Sequence, residues 1–199
     1  MSIVQAIGLS VLPNLGGIAG SYFTRKSIKT WYESLDKPSW RPPNRLFAPV
    51  WTTLYSSIGY ASFLILRDGV GSSRNLALGL YGTQLALNWA WTPLFFHYHK
   101  LGLATVEIGL LTANIAACIY AFYPINKTAA YLLLPYLAWV SFASALTYNI
   151  WKQKERFSRE HLMLSHECEF SPGTQQTDHL EYSRSSADQD LPLSNEMRS

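Results

Sequence analysis

Apolar residues fall into five runs, 3–23, 46–66, 76–96, 103–123 and 129–151, separated by short polar connections. Each run holds about the 20 helical residues that cross a hydrocarbon core of about 30 Å. Together they contain one charged side chain, Glu107. One such run could be a buried core helix, but five leave too little polar sequence to face water around such a core. A membrane barrel would need segments of alternating polarity, and these runs are continuously apolar. Pro13, Gly59, Pro93 and Pro135 inside the runs are compatible with membrane helices, where neighbouring groups satisfy the freed backbone. The pattern predicts an all-α integral membrane protein, a bundle of five transmembrane helices. The first run reads as a retained span with its N-terminus on the non-cytosolic side. No Lys or Arg precedes it, it exceeds a signal-peptide core in length, and Arg25 and Lys26 follow it.

Composition sharpens this picture once the chain is divided. Over all 199 residues the mean hydropathy is +0.02 and 15% of residues are charged, which resembles a soluble average. Residues 1–151, the predicted transmembrane domain, hold all seven Trp, with ten basic and four acidic side chains. Residues 152–199 hold six basic and nine acidic ones. This tail is rich in Ser and lacks Trp and apolar periodicity, so a mostly disordered cytosolic segment is expected beyond a short helical extension near residue 160. Lys and Arg number eleven on the side of the first loop, third loop and tail, against three on the other side. The positive-inside rule therefore places the first loop and the C-terminus in the cytosol.

Polar residues inside the runs are the candidates for chemistry, because an unpaired polar group in lipid is costly and turns toward protein or a cavity. Gln84, Asn88, Trp91 and Phe95 share a face of the third run, and Glu107, Leu111, Asn114 and Cys118 share one of the fourth. Pro135, Trp139, Phe142, Ala143, Leu146 and Asn149 form a face of the fifth, and Trp51 and Tyr55 lie one turn apart on the second. Such faces turned inward would line an aromatic pocket. Trp31, Trp40 and Trp151, near span ends, read as interfacial belt residues. Glu107, about one turn inside its run, reads as a snorkelling or helix-N-terminal residue rather than a proton relay. Gly79 with Thr83, or Gly82 with Ala86, gives small-residue spacing for close helix contact and a homodimer. Cys118 and Cys168 lie too far apart in role for a disulfide, the five His are scattered, and no metal-ligand spacing, catalytic constellation or nucleic-acid signature is present.

Several segments are specific enough to carry a resemblance: Trp31-Tyr32, Lys37-Pro38-Ser39-Trp40-Arg41-Pro42-Pro43, Ala48-Pro49-Val50-Trp51-Thr52-Thr53-Leu54-Tyr55, Gly59-Tyr60, the run from Gln84 through Asn88-Trp89-Ala90-Trp91 to Phe96, and Pro135-Tyr136-Leu137-Ala138-Trp139. Over residues 5–152 the chain resembles the translocator protein family, also called the peripheral-type benzodiazepine receptor or tryptophan-rich sensory protein family, in its animal mitochondrial form with a long C-terminal tail. The resemblance implies a five-helix protein of the mitochondrial outer membrane that binds cholesterol, porphyrins or haem, and benzodiazepine-like drugs as ligands, without a cofactor. Its partners would be membrane lipid and outer-membrane proteins. By motif, the implied ligand pocket is Trp51, Asn88, Trp91, Trp139, Ala143 and Leu146, opening toward the cytosol under the first loop. The implied cholesterol-recognition segment runs from Leu146 through Tyr148 to Lys152. Lys152 stands where mammalian members usually carry Arg, Leu103 where some carry a pocket-facing Trp, and Tyr22 where a basic residue is common. Two further readings belong to other classes: Trp-dependent porphyrin breakdown, and a membrane scaffold that recruits partners through its tail.

Overall fold

The computed structural model describes residues 2–33, 35 and 37–169. Among them there is no strand, and six α-helices appear: α1 (Ile3–Ser27), α2 (Phe47–Asp68), α3 (Gly71–Phe96), α4 (Leu101–Phe122), α5 (Lys127–Leu132) and α6 (Leu134–Glu169). The chain divides into the units Met1–Glu155 and Arg156–Ser199. The expected disorder of the tail concerns mainly residues 170–199, which lie outside the described residues. The helix predicted near residue 160 is the continuation of α6.

Helices α5 and α6 together form the fifth span, and the backbone explains their separation. Pro135 lacks an N–H and its ring crowds the carbonyl four residues back, so the helical ladder lapses around Leu133. Ser57 of α2 donates to the Leu132 carbonyl at 3.1 Å, supplying a hydrogen bond where the helix cannot. The segments Ile3–Tyr22, Leu101–Phe122 and Lys127–Met163 are each apolar and long enough to cross a membrane alone. Helices α2 and α3 carry more hydroxyls and amides, of which Tyr55, Ser56, Ser57 and Asn88 bond to other helices while Thr52, Thr53, Ser62 and Thr83 bond to carbonyls of their own helix.

The helices do not follow one another around the bundle in chain order. α1 contacts α2 and α3, α2 contacts α5, and α4 contacts both α5 and α3. The fifth span is thus seated between α2 and α4, closing a ring whose order is first, second, fifth, fourth, third. Thr112 of α4 and Ser144 of α6 meet at 3.0 Å on one side of this insertion. Helix α1 is the outermost: Ile3, Val4, Ile7, Val11, Leu15 and Ile18 are all at least half exposed, as suits a lipid-facing surface. Pro13 interrupts its ladder toward Leu9, and Gly59 of α2 rests against Leu9 and Ser10 so closely that a Cβ there would lie 2.7 Å from Ser10 Cα. Only glycine permits that backbone approach. The core is one large cluster running the length of the bundle, around Ile58, Ile65, Leu111, Ile115, Phe122 and Tyr136, and a smaller one beneath the first loop.

Candidate ligand site

A hydrogen-bonded knot lies at the centre of the bundle. The Tyr55 hydroxyl donates to Asn88 Oδ1, and Asn88 Nδ2 donates to the Tyr136 hydroxyl at 2.9 Å. This one buried amide joins α2, α3 and α6. Trp51 covers it, with ring centroids 5.1 Å from Tyr55 and 6.3 Å from Tyr136. One turn along α3, toward the first loop, Trp91 stacks on Phe95 at 4.9 Å and meets Phe96 edge-on at 5.9 Å. Trp139 stands edge-on to Phe47 at 5.7 Å. The indole N–H groups of Trp91 and Trp139 are buried without a hydrogen-bond partner, as are both amide atoms of Gln84 and both carboxyl oxygens of Glu107. Such groups in an apolar interior lose their hydration and gain nothing in return.

Beside Trp139 an apolar cleft of about 570 Å³ opens between α2 and α6. Its walls are Val50 and Leu54 on one helix and Pro135, Ala138, Trp139 and Phe142 on the other, roofed by Trp40 and Pro42 of the first loop. Trp40 docks edge-on against Phe142 at 5.4 Å.

The roof is held by a cation. Lys37 Nζ donates to the backbone carbonyls of Tyr32 at 2.6 Å, Leu35 at 2.7 Å and Glu33 at 3.0 Å, and sits 5.0 Å from the centre of the Tyr32 ring. It thereby closes the wide helical turn Ile28–Tyr32 that follows α1. Tyr32 is buried against Phe95 and Phe96, and Trp31 stacks on His99 at 3.9 Å, so the loop is packed onto the end of α3.

Of the residues singled out from the sequence, Trp51 and Asn88 meet in the central knot, and Ala143 packs against the same core. Leu146 is buried in the smaller cluster with Phe95, Phe96, Leu101 and Ala104, against which Trp91 also packs. Trp139 packs against the same core as Trp51 and Ala143 and also forms part of the cleft wall. The expected single face of the fifth span is therefore divided: Pro135, Trp139 and Phe142 line the cleft, Ala143 and Leu146 turn inward, and Asn149 is exposed. The cholesterol-recognition segment is divided too. Lys152 Nζ donates to the exposed Tyr148 hydroxyl at 2.9 Å on the outer surface, whereas Leu146 is only 6% exposed and points the other way. Residues two apart on a helix cannot share a face with those four apart from one of them.

One expectation is corrected, and the structure places two further residues. Glu107 does not snorkel: it is 7% exposed and lies on the buried face of α4 with Ala104, Ile108 and Leu111. Leu103, at 51% exposed, is on the outer side of α4. Trp40 is a roof of the cleft as well as a boundary aromatic, a role that loop sequence alone does not signal. Tyr136, the second partner of Asn88, was visible in the sequence only as part of a motif, and its spacing from Trp139 gave no hint that its hydroxyl reaches α3. Among the described residues no cluster of His, Cys, Asp or Glu could hold a metal ion.

The model of the TspO/MBR family matches residues 9–152. The translocator protein of Bos taurus is 46% identical over 154 residues, which is 76% of this chain and 91% of that protein. Translocator protein 2 of Homo sapiens is 43% identical over 145 residues, 71% of this chain and 85% of its own length. The tryptophan-rich protein TspO of Archaeoglobus fulgidus is 39% identical over 152 residues, 76% of this chain and 97% of its own. The Trp, Asn and Tyr of the central knot and the Trp of the cleft all fall within the matched region, and the chain belongs to the TspO/MBR family.

Proposed function

We propose that this chain is a non-enzymatic binding protein for cholesterol and porphyrin-type tetrapyrroles, acting in their transport at the mitochondrial outer membrane. In this reading residues 1–151 form the transmembrane domain and residues 152–199 a cytosolic tail. The observation that carries the proposal is the pair of buried, acceptor-less indoles, Trp91 and Trp139, one beside an apolar cleft walled by α2 and α6. An apolar ligand bearing a few acceptor atoms would enter from the bilayer at the cleft, pass Trp139 and supply the missing partners, with Trp51, Asn88, Ala143 and Leu146 forming the inner wall. Relatives that bear the name translocator protein support a transport role. The chain needs no resident cofactor for this, since its ligands are its cargo. The exposed stripe of Gly79, Gly82, Thr83 and Ala86 on α3 leaves a surface for a second copy of the chain.

The test is reconstitution of the full chain in liposomes, with sterol transfer and porphyrin absorbance followed on the same sample. Trp91→Ala and Trp139→Ala each remove a large apolar contact and are expected to weaken porphyrin binding by about ten- to a hundredfold. Folded variants with wild-type affinity would show that both rings serve packing alone. Steady bleaching of the porphyrin band, lost in the same variants, would instead establish a porphyrin-degrading activity.

A further inference from the structure

Glu107 is unexplained by the fold. Both of its carboxyl oxygens are buried without a hydrogen bond, and it lies beyond the first turn of α4, where exposed backbone N–H groups would otherwise compensate it. The groups around it on that face are Ala104, Ile108 and Leu111, none of which can donate. Its depth coincides with that of a second orphan. α3 ends at Phe96 and α4 begins at Leu101, and the two helices pack against each other in opposite directions. Trp91 lies five residues before the end of one and Glu107 six residues after the start of the other, so at about 1.5 Å per residue their levels agree to within about 2 Å. Trp91 packs against both core clusters, one of which contains Ala104 and the other Ile108 and Leu111, the residues that flank Glu107. Two acceptor oxygens and one indole donor, all unpartnered, thus occupy the same level of the bundle interior.

We infer that Glu107 and Trp91 form a polar subsite for a hydroxyl group, which donates to the carboxyl and accepts from the indole N–H. The inference rests on the binding function proposed above and narrows its ligand class to apolar molecules bearing an alcohol, sterols among them. It gives Glu107 a specificity role: an otherwise identical ligand without the hydroxyl would leave the carboxyl unpaired, and discrimination against such a ligand is characteristically strong.

The experiment uses the full chain in nanodiscs loaded with protoporphyrin IX, so that displacement reports the interior and not the outer surface at Tyr148. Cholesterol and its 3-methyl ether are compared as displacing ligands. Wild type is expected to favour cholesterol by about tenfold or more, the range of a hydrogen bond to a carboxyl group. Glu107→Leu is expected to bring the ratio close to one while leaving the affinity for the ether unchanged. Glu107→Gln, which keeps one acceptor oxygen, should retain part of the preference. Glu107→Leu without ligand should also melt at or above the wild-type temperature, since it removes an unpaired buried group. A preference that survives in Glu107→Leu, an equal loss for both sterols, or a lower melting temperature in that variant would overturn the subsite. If protoporphyrin IX fails to bind wild type, the parent function falls and the subsite with it. If it binds and both sterols displace it equally, or neither does, the subsite alone falls.

Discussion

Asn88 shows how one side chain can be read from the sequence while its significance is not. Its place on the inner face of α3 follows from the spacing of Gln84, Asn88, Trp91 and Phe95, three and four residues apart. Its two phenol partners come from residues 33 and 48 positions away, a distance no local pattern encodes. Asn88→Leu would strand the Tyr55 and Tyr136 hydroxyls in the apolar interior, at a cost of about 1–3 kcal/mol per unsatisfied group. The expected outcome is a lower thermal midpoint for the purified chain, partly restored by adding Tyr55→Phe and Tyr136→Phe. A triple variant no more stable than Asn88→Leu would show that the knot contributes by shape alone. At the outer surface, Tyr148→Ser removes the acceptor that holds Lys152. It is expected to weaken cholesterol binding with little change for porphyrin, because Tyr148 is turned away from the bundle interior. Equal loss of both ligands in a binding assay would point to a distorted α6.

Helices were legible where composition was extreme. Spans 1, 4 and 5 announce themselves, whereas α2 and α3 are diluted by Ser, Thr, Tyr and Asn, only some of which, such as Tyr55, Ser57 and Asn88, have partners on other helices. The lapse at Leu133 was hidden because a proline in a membrane helix is as compatible with a smooth bend as with a break, and only the Ser57 bond from α2 shows which occurred. The contact between α1 and α2 yields a sharper test. Gly59→Ala would drive a methyl group into the α1 backbone at Leu9 and Ser10, which cannot swing aside as a side chain would. Overpacking of this kind costs about 1–3 kcal/mol, so a clear fall in thermal midpoint is expected, and an unchanged midpoint would show that α1 is free to shift. At the opposite end of α2, Asp68 accepts from Arg67 at 2.5 Å and from Asn126 at 2.5 Å, and Asn126 caps α5 through Ala129 N at 2.9 Å. The Arg67 and then the Asn126 hydrogen bonds hold the Asp68 carboxyl below the usual carboxylate range. Because the folded value is the lower one, the stabilisation is complete above the unfolded pKa of about 3.9 and is lost as pH falls through the folded value. Hydrogen-exchange protection across Lys127–Leu132 should therefore hold at neutral pH and drop in strong acid. Protection indifferent to acid in that range would remove the clamp.

For the whole molecule, the distribution of basic residues gives a prediction about sidedness that is independent of packing. Protease added to intact mitochondria should remove a C-terminal tag, and a protected tag would reverse the proposed orientation. The number of spans could be counted from the sequence, but their order around the ring could not. An apolar helical face specifies that it must be covered, not by which neighbour, since lipid and another helix are almost equally apolar. What chooses the order is a sparse set of polar and close-fitting contacts: Asn88 to Tyr136, Ser57 to Leu132, Thr112 to Ser144 and Gly59 to α1. Each joins residues at least 32 apart, apart from any periodic signal.

The seating of the last span between the second and the fourth has a consequence for biogenesis. A ribosome delivers the helices in chain order, so until residue 127 has emerged the growing protein is a horseshoe with its interior open to lipid along one seam. Asn88 then has Tyr55 but not Tyr136, Ser144 is not there to meet Thr112, and the cleft lacks the wall that carries Trp139. The site is therefore completed by the final insertion and by nothing before it. A nascent chain stalled ahead of α5 would expose both polar faces to the bilayer, and those faces mark where an insertion chaperone would have to shield it until the ring closes.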